Sequence, residues 1–133
     1  MAFYRTREGA ITAADSFTAL DSLYGQSTTA SVQVPSGASA IVGIVASIAT
    51  DSATNGAATF ACQLSGDGLS SGQETICIGS QGVDGTPASN GMTNSPMTLD
   101  VAIPVVGSNQ VSVAVAMDVD VGSAQASITL IFA

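Results

Sequence analysis

The sequence predicts an all-β protein, an antiparallel β-sandwich or jelly roll of about seven or eight strands with one short N-terminal helix. Three observations carry that expectation. Apolar and polar residues alternate with period two over much of the chain. Turn-forming groups, Pro35-Ser36-Gly37, Asn55-Gly56 and Gly107-Ser108-Asn109, punctuate the alternation at short intervals. Apolar residues make up 46% of the chain and charged ones 9%, the reverse of the balance that keeps a chain disordered.

Taken in order, residues 1–14 carry no strand alternation that fits the sandwich and read as an arm holding Phe3, Tyr4, Arg5 and Arg7. A helix follows over about 15–25. Asp15 or Ser16 can cap it, Phe17, Leu20, Leu23 and Tyr24 fall at helical spacing, and Gly25 is placed to end it. Strands are expected over 29–34, 40–49, 57–64 and 74–79. Residues 80–97 have no periodicity and read as a long loop.

The clearest strand runs from Gln110 to Val121, with Val111, Val113, Val115, Met117, Val119 and Val121 on one face. Ser123 to Phe132 turns Ala124, Ala126, Ile128, Leu130 and Phe132 inward, and Thr98 to Val106 turns in Leu99, Val101, Ile103 and Val105. Pro104 marks the latter as an edge strand, because proline cannot donate to a ladder. Short connections suggest that these three form a C-terminal meander. The chain thus divides into an arm, 1–14, and a single β-sandwich domain, 15–133. At 133 residues it can bury roughly two thirds of its unfolded surface, enough for a core without metal or disulfide.

Cys62 shares a strand face with Phe60 and Leu64, whereas Cys77 lies opposite in parity to Ile76 and Ile78. A disulfide would need a bulge or an exposed Ile76, so two free, buried thiols are expected.

The charge pattern excludes several functions. The chain has ten acids and two cations, Arg5 and Arg7, for a net charge of −8. Two cations cannot neutralise several phosphates, so neither nucleic acid nor an anionic membrane is expected as a partner. The start MAFYRTREGA has no apolar run of signal-peptide length behind its arginines, and the longest apolar stretch, residues 38–49, is short of a membrane span. Synthesis in the cytoplasm is expected.

An enzyme is not expected either. Gly68-Leu69-Ser70-Ser71-Gly72 matches the nucleophile elbow of hydrolases literally, but the chain has no histidine to take the serine proton and a strand should follow Gly72. The match reads as a hairpin loop. No catalytic residue, cofactor or metal centre is expected. The nearest approach to a cation site is Asp118 with Asp120, two carboxylates about 7 Å apart on one strand face, which more commonly form a solvated surface.

The outward positions of the strongest strand are small and sparsely charged, Ser112, Ala114, Ala116, Asp118 and Asp120. Such side chains let surfaces approach closely and lose little rotamer freedom on burial. In its start MAFYRTREG, its Ser/Thr/Ala/Gly/Val texture and its segment QVSVAVAMDVDVGSAQASITLIFA, the chain resembles small virion proteins. These are jelly-roll capsid subunits and the β-rich decoration or cement proteins that cap phage and archaeal-virus shells. The resemblance implies a structural subunit of a virion that assembles with itself, a trimer being the expected form, and with other shell subunits. It implies that Phe3, Tyr4, Arg5 and Arg7 hold a neighbouring subunit. The lack of a basic tract departs from genome-facing shell proteins and implies an outer, decorating position. Two other classes fit the same residues. One is a subunit of an extracellular filament or surface layer; the other is a monomeric carbohydrate- or calcium-binding β-module.

Overall fold

A computed structural model of the chain describes residues 2–11, 13–51, 55–84, 90–93, 97–118 and 123–133. Their elements are β1 (Phe3–Ile11), β2 (Thr18–Ala19), β3 (Ser22–Leu23), β4 (Gln26–Ser27), β5 (Ser31–Gln33) and β6 (Ala40–Asp51). These are followed by β7 (Asn55–Ser65), β8 (Gln73–Asp84), β9 (Asn90–Thr93), β10 (Met97–Pro104), β11 (Gln110–Met117) and β12 (Ser123–Phe132). One sheet has the order β10-β6-β12-β1-β3-β4, with β9 also on β6. The second has the order β2-β11-β7-β8, with β5 also on β11. Every strand pairing is antiparallel, and the two sheets pack together as a β-sandwich.

Period two decides which side chains lie between the sheets. Ile44, Ala46 and Ile48 of β6 and Ile128, Leu130 and Phe132 of β12 are buried from one side. Phe60, Cys62 and Leu64 of β7 and Val111, Val113, Val115 and Met117 of β11 are buried from the other. Each large side chain removed from water here contributes about 1.5–3 kcal/mol. Opposed inward faces therefore hold the layers together.

The structure differs from the sequence expectations at several elements. Residues 15–25 form no helix. Leu20 is buried and its N–H donates to the Val113 carbonyl (3.0 Å), while β2 pairs with β11 and β3 with β1 and β4. Tyr24 and Gly25 have φ of 52° and 73°, the left-handed pair at the centre of a two-residue hairpin, and Tyr24 is 86% exposed. A helix of about ten residues is marginal in water, whereas the margins of both sheets offer this segment ready hydrogen-bond partners. Gly25 supplies the positive φ that its position suggested, but to a hairpin.

The arm is likewise corrected. Phe3 to Ile11 is β1, paired along its whole length with β12, from Phe3 opposite Phe132 to Ile11 opposite Ala124. Its inward set, Phe3, Arg5, Arg7, Gly9 and Ile11, hides its period because two of the five are arginines.

The expected meander is also absent. β10 and β12 lie in one sheet on either side of β6, and β11 lies in the other. Alternation tells which face turns inward, not which sheet receives it. The Gly107–Asn109 turn is fastened to a different loop, with Ser108 N–H donating to Val34 O (3.0 Å) and Val34 N–H to Asn109 O (2.8 Å).

Within β10 the register slips between Thr98 and Ile103. Val101 is 83% exposed as a result, whereas Ile103 and Val105 stay buried. Pro104 does lie on an edge strand, since β10 ends its sheet. Part of the expected 80–97 loop is strand: β8 runs on to Asp84 and Asn90–Thr93 pairs with β6, while residues 85–89 and 94–96 lie outside the described residues. Asn55 and Gly56, read as a turn, open β7 opposite Asp84 and Val83.

Both cysteines are free, as expected, but only Cys62 is buried; Cys77 is exposed. The β7–β8 ladder does contain a register shift, between Phe60 and Ala61. It lies beyond Cys77 and leaves the two thiols on opposite faces.

Candidate assembly surface

The outer face of the larger sheet carries mainly small, sparsely charged side chains along β1, β12 and β6. The pairings of β1, β12 and β6 build four rows across it. Tyr4, Ile131 and Gly43 form the first; Thr6, Thr129 and Val45 the second; Glu8, Ser127 and Ser47 the third; Ala10, Gln125 and Ala49 the fourth. Only Glu8 is charged. The rows grade from an apolar end, where Tyr4 is 61% exposed beside Ile131, to a polar end at Gln125. Thr6 and Thr129 share a hydroxyl hydrogen bond of 2.8 Å that fixes the middle of the face. A depression of about 180 Å³ opens at the polar end, lined by Glu8, Ser47, Ala49, Gln125, Ala126 and Ser127.

The four residues expected to hold a neighbour do not share one face of β1. Tyr4 lies on this outer face, whereas Phe3, Arg5 and Arg7 stand opposite Phe132, Leu130 and Ile128, all core residues, and so project from the inner side of β1. Phe3 packs against the core. Arg7 bridges the layers: Nε donates to Thr29 O (2.8 Å) and Nη2 to Ser31 O (2.8 Å), at the entry to β5. Its Nη1 donates to Thr6 O (2.8 Å). Arg5 is exposed, and its Nη1 donates to Tyr4 O (3.0 Å). Neither guanidinium pairs with a carboxylate among the described residues. The signal in the sequence was present: Arg5 and Arg7 share parity with Phe3 and Ile11.

The Gly68–Gly72 segment is part of the β7–β8 connection, as expected of a hairpin loop. It is closed by hydrogen bonds from Gly66 N–H to Gly72 O (3.0 Å) and from Gly72 N–H to Leu69 O (3.1 Å). Ser70 is exposed, and its N–H donates to Pro104 O (3.1 Å). Gly68 is required by close approach, since a Cβ there would lie 2.6 Å from the Gln110 carbonyl oxygen. Asp67 ties the same end together, accepting the Gln110 N–H on its carboxylate (3.1 Å) and the Asn109 amide on its backbone carbonyl (3.1 Å).

At the Asp118–Asp120 pair, the Asp118 carboxylate accepts the Thr59 N–H (2.7 Å), a strand-end cap, and Asp120 lies outside the described residues. Among the described residues no three His, Cys, Asp or Glu come together as a metal site. No protein-family model matches the chain, and a search of curated proteins finds no significant match.

Proposed function

We propose that this protein is a structural subunit of a virion shell, a small capsid or capsid-decorating protein that works by self-assembly. The observation that supports this most is the outer face of the larger sheet. Four rows of mainly small side chains with a single carboxylate present a surface that can be covered at little cost in desolvation or rotamer freedom. Tyr4 and Ile131 at one end supply the apolar contact around which such interfaces commonly concentrate their energy. Trimeric symmetry and a place on the outside of a shell are carried by the virion resemblance alone. The same face suits a filament or surface-layer subunit.

Thr129→Arg tests the reading. It sets a long cation in the middle of the face without touching the core. We expect sedimentation velocity to show a homo-oligomer for the native chain and a folded monomer for the variant. A native chain that stays monomeric at all concentrations, or a variant that assembles unchanged, sinks the proposal. The depression beside Glu8 favours a second reading, a ligand-binding module. A melting temperature that rises with a saccharide or calcium and an oligomeric state that does not change would favour that reading.

A further inference from the structure

The margin of β1 that faces away from β12 is paired with β3 only at Glu8, opposite Ser22. From Phe3 to Arg7 no strand lies on that side among the described residues. The orientation of the backbone groups there follows from the neighbouring hairpin. Leu23 and Gln26 close the two-residue turn of β3–β4, so Leu23 directs its N–H and C=O to β4 and Ser22 directs its own to β1. Glu8 answers Ser22, and Tyr4 and Thr6, at even spacing before Glu8, point the same way. Their N–H and C=O groups therefore form an open edge, the feature by which sheets recruit further strands.

The two carbonyls of that edge are taken. Arg5 covers Tyr4 O and Arg7 covers Thr6 O, each through Nη1. We propose that Arg5 and Arg7 are edge guards, which prevent β1 from adding a strand of another copy of this chain. An incoming strand would have to displace both guanidinium groups to reach its acceptors. A second β1 aligned antiparallel would also set two pairs of like charges against each other, which is destabilising. Both arginines project from the inner side of the strand, where an added sheet margin would bury them. Arg7 is also tied to Thr29 and Ser31, but Arg5 has no carbonyl other than that of Tyr4, so holding a loop does not account for it. The inference does not depend on the assembly reading, because a monomer needs its edges guarded too.

Amide hydrogen exchange at Tyr4 and Thr6, read by NMR alongside sedimentation velocity, separates edge pairing from contact through the outer face. In the native chain both amides should exchange without protection at every protein concentration. In Arg5→Val and Arg5→Gln, protection of both amides should rise roughly tenfold with concentration, together with faster-sedimenting species. Arg5→Gln serves if Arg5→Val does not fold. Protection that already rises with concentration in the native chain overturns the proposal. So do folded variants that stay as unprotected as the native chain, or that associate while these two amides remain unprotected.

Discussion

Cys77 is a free thiol as its parity suggests but is exposed rather than buried, and Arg7 makes its contacts within its own chain. Two guanidiniums in a chain of acids suggested a reach toward a neighbour, yet Arg7 spends three donors on backbone carbonyls of its own chain. A lysine keeps the charge but cannot fork to Thr29 and Ser31 together. Arg7→Lys is expected to lower stability by about 1–3 kcal/mol, read from the urea midpoint. An unchanged midpoint would show that the bridge between the layers is idle. The cysteines differ in the same local way. Burial pushes the Cys62 thiol from 9.0 up to about 12, while Cys77 is exposed. A thiol reagent should therefore titrate one group in the folded protein and two in denaturant. Below the unfolded value both states keep the Cys62 proton and its contribution is complete. Between about 9 and about 12 the unfolded chain releases that proton first, so stability falls as pH rises. Cys62→Ala should flatten the fall, and equal slopes in native and variant proteins would argue against it.

At the scale of elements, strands with an unbroken apolar period were legible and those carrying polar side chains on the inner face were not. β11 and β12 are legible because every inward position, Val111, Val113, Val115 and Met117 in one and Ala124, Ala126, Ile128, Leu130 and Phe132 in the other, is apolar. β1 was missed because arginines stand at two of its inward positions, a choice that serves its half-open edge. The three-residue spacing of Phe17, Leu20 and Leu23 suggests a helix, whereas hydrogen bonds to two sheet margins, a long-range feature, decide the matter. The correction changes what truncation should do. Removing residues 2–8 takes Phe3 from the core and strips β12 of its partner from Ser127 to Phe132. We expect loss of the cooperative thermal transition, measured by circular dichroism. A truncated chain that melts like the native one would restore the detachable arm.

For the whole molecule, the sandwich was legible because inward alternation needs only local sequence, but the partner of each strand was not, because either sheet buries the same face. The outer face of the larger sheet escaped notice for the same reason: its rows are assembled from β1, β12 and β6, which the sequence keeps far apart. A net charge of −8 makes copies of the chain repel one another. If they associate through a sparsely charged face, added salt should strengthen the association by screening that repulsion, as sedimentation equilibrium at several ionic strengths would show. Weakening by salt would mean that arginine–carboxylate pairs hold the contact. The pairing of β1 with β12 has a further consequence, for the order of events in biosynthesis. Thr6 meets Thr129 across 123 residues of chain. The larger sheet cannot close until β12 has been made, so β1 must wait while the segment between them is synthesised. Refolding from denaturant should accordingly run in milliseconds to seconds, as in other domains dominated by distant pairings. Throughout that delay β1 has neither β12 nor its core neighbours, and Arg5 and Arg7 stand within it at inward positions. They would keep that segment soluble while the nascent chain waits for its partner.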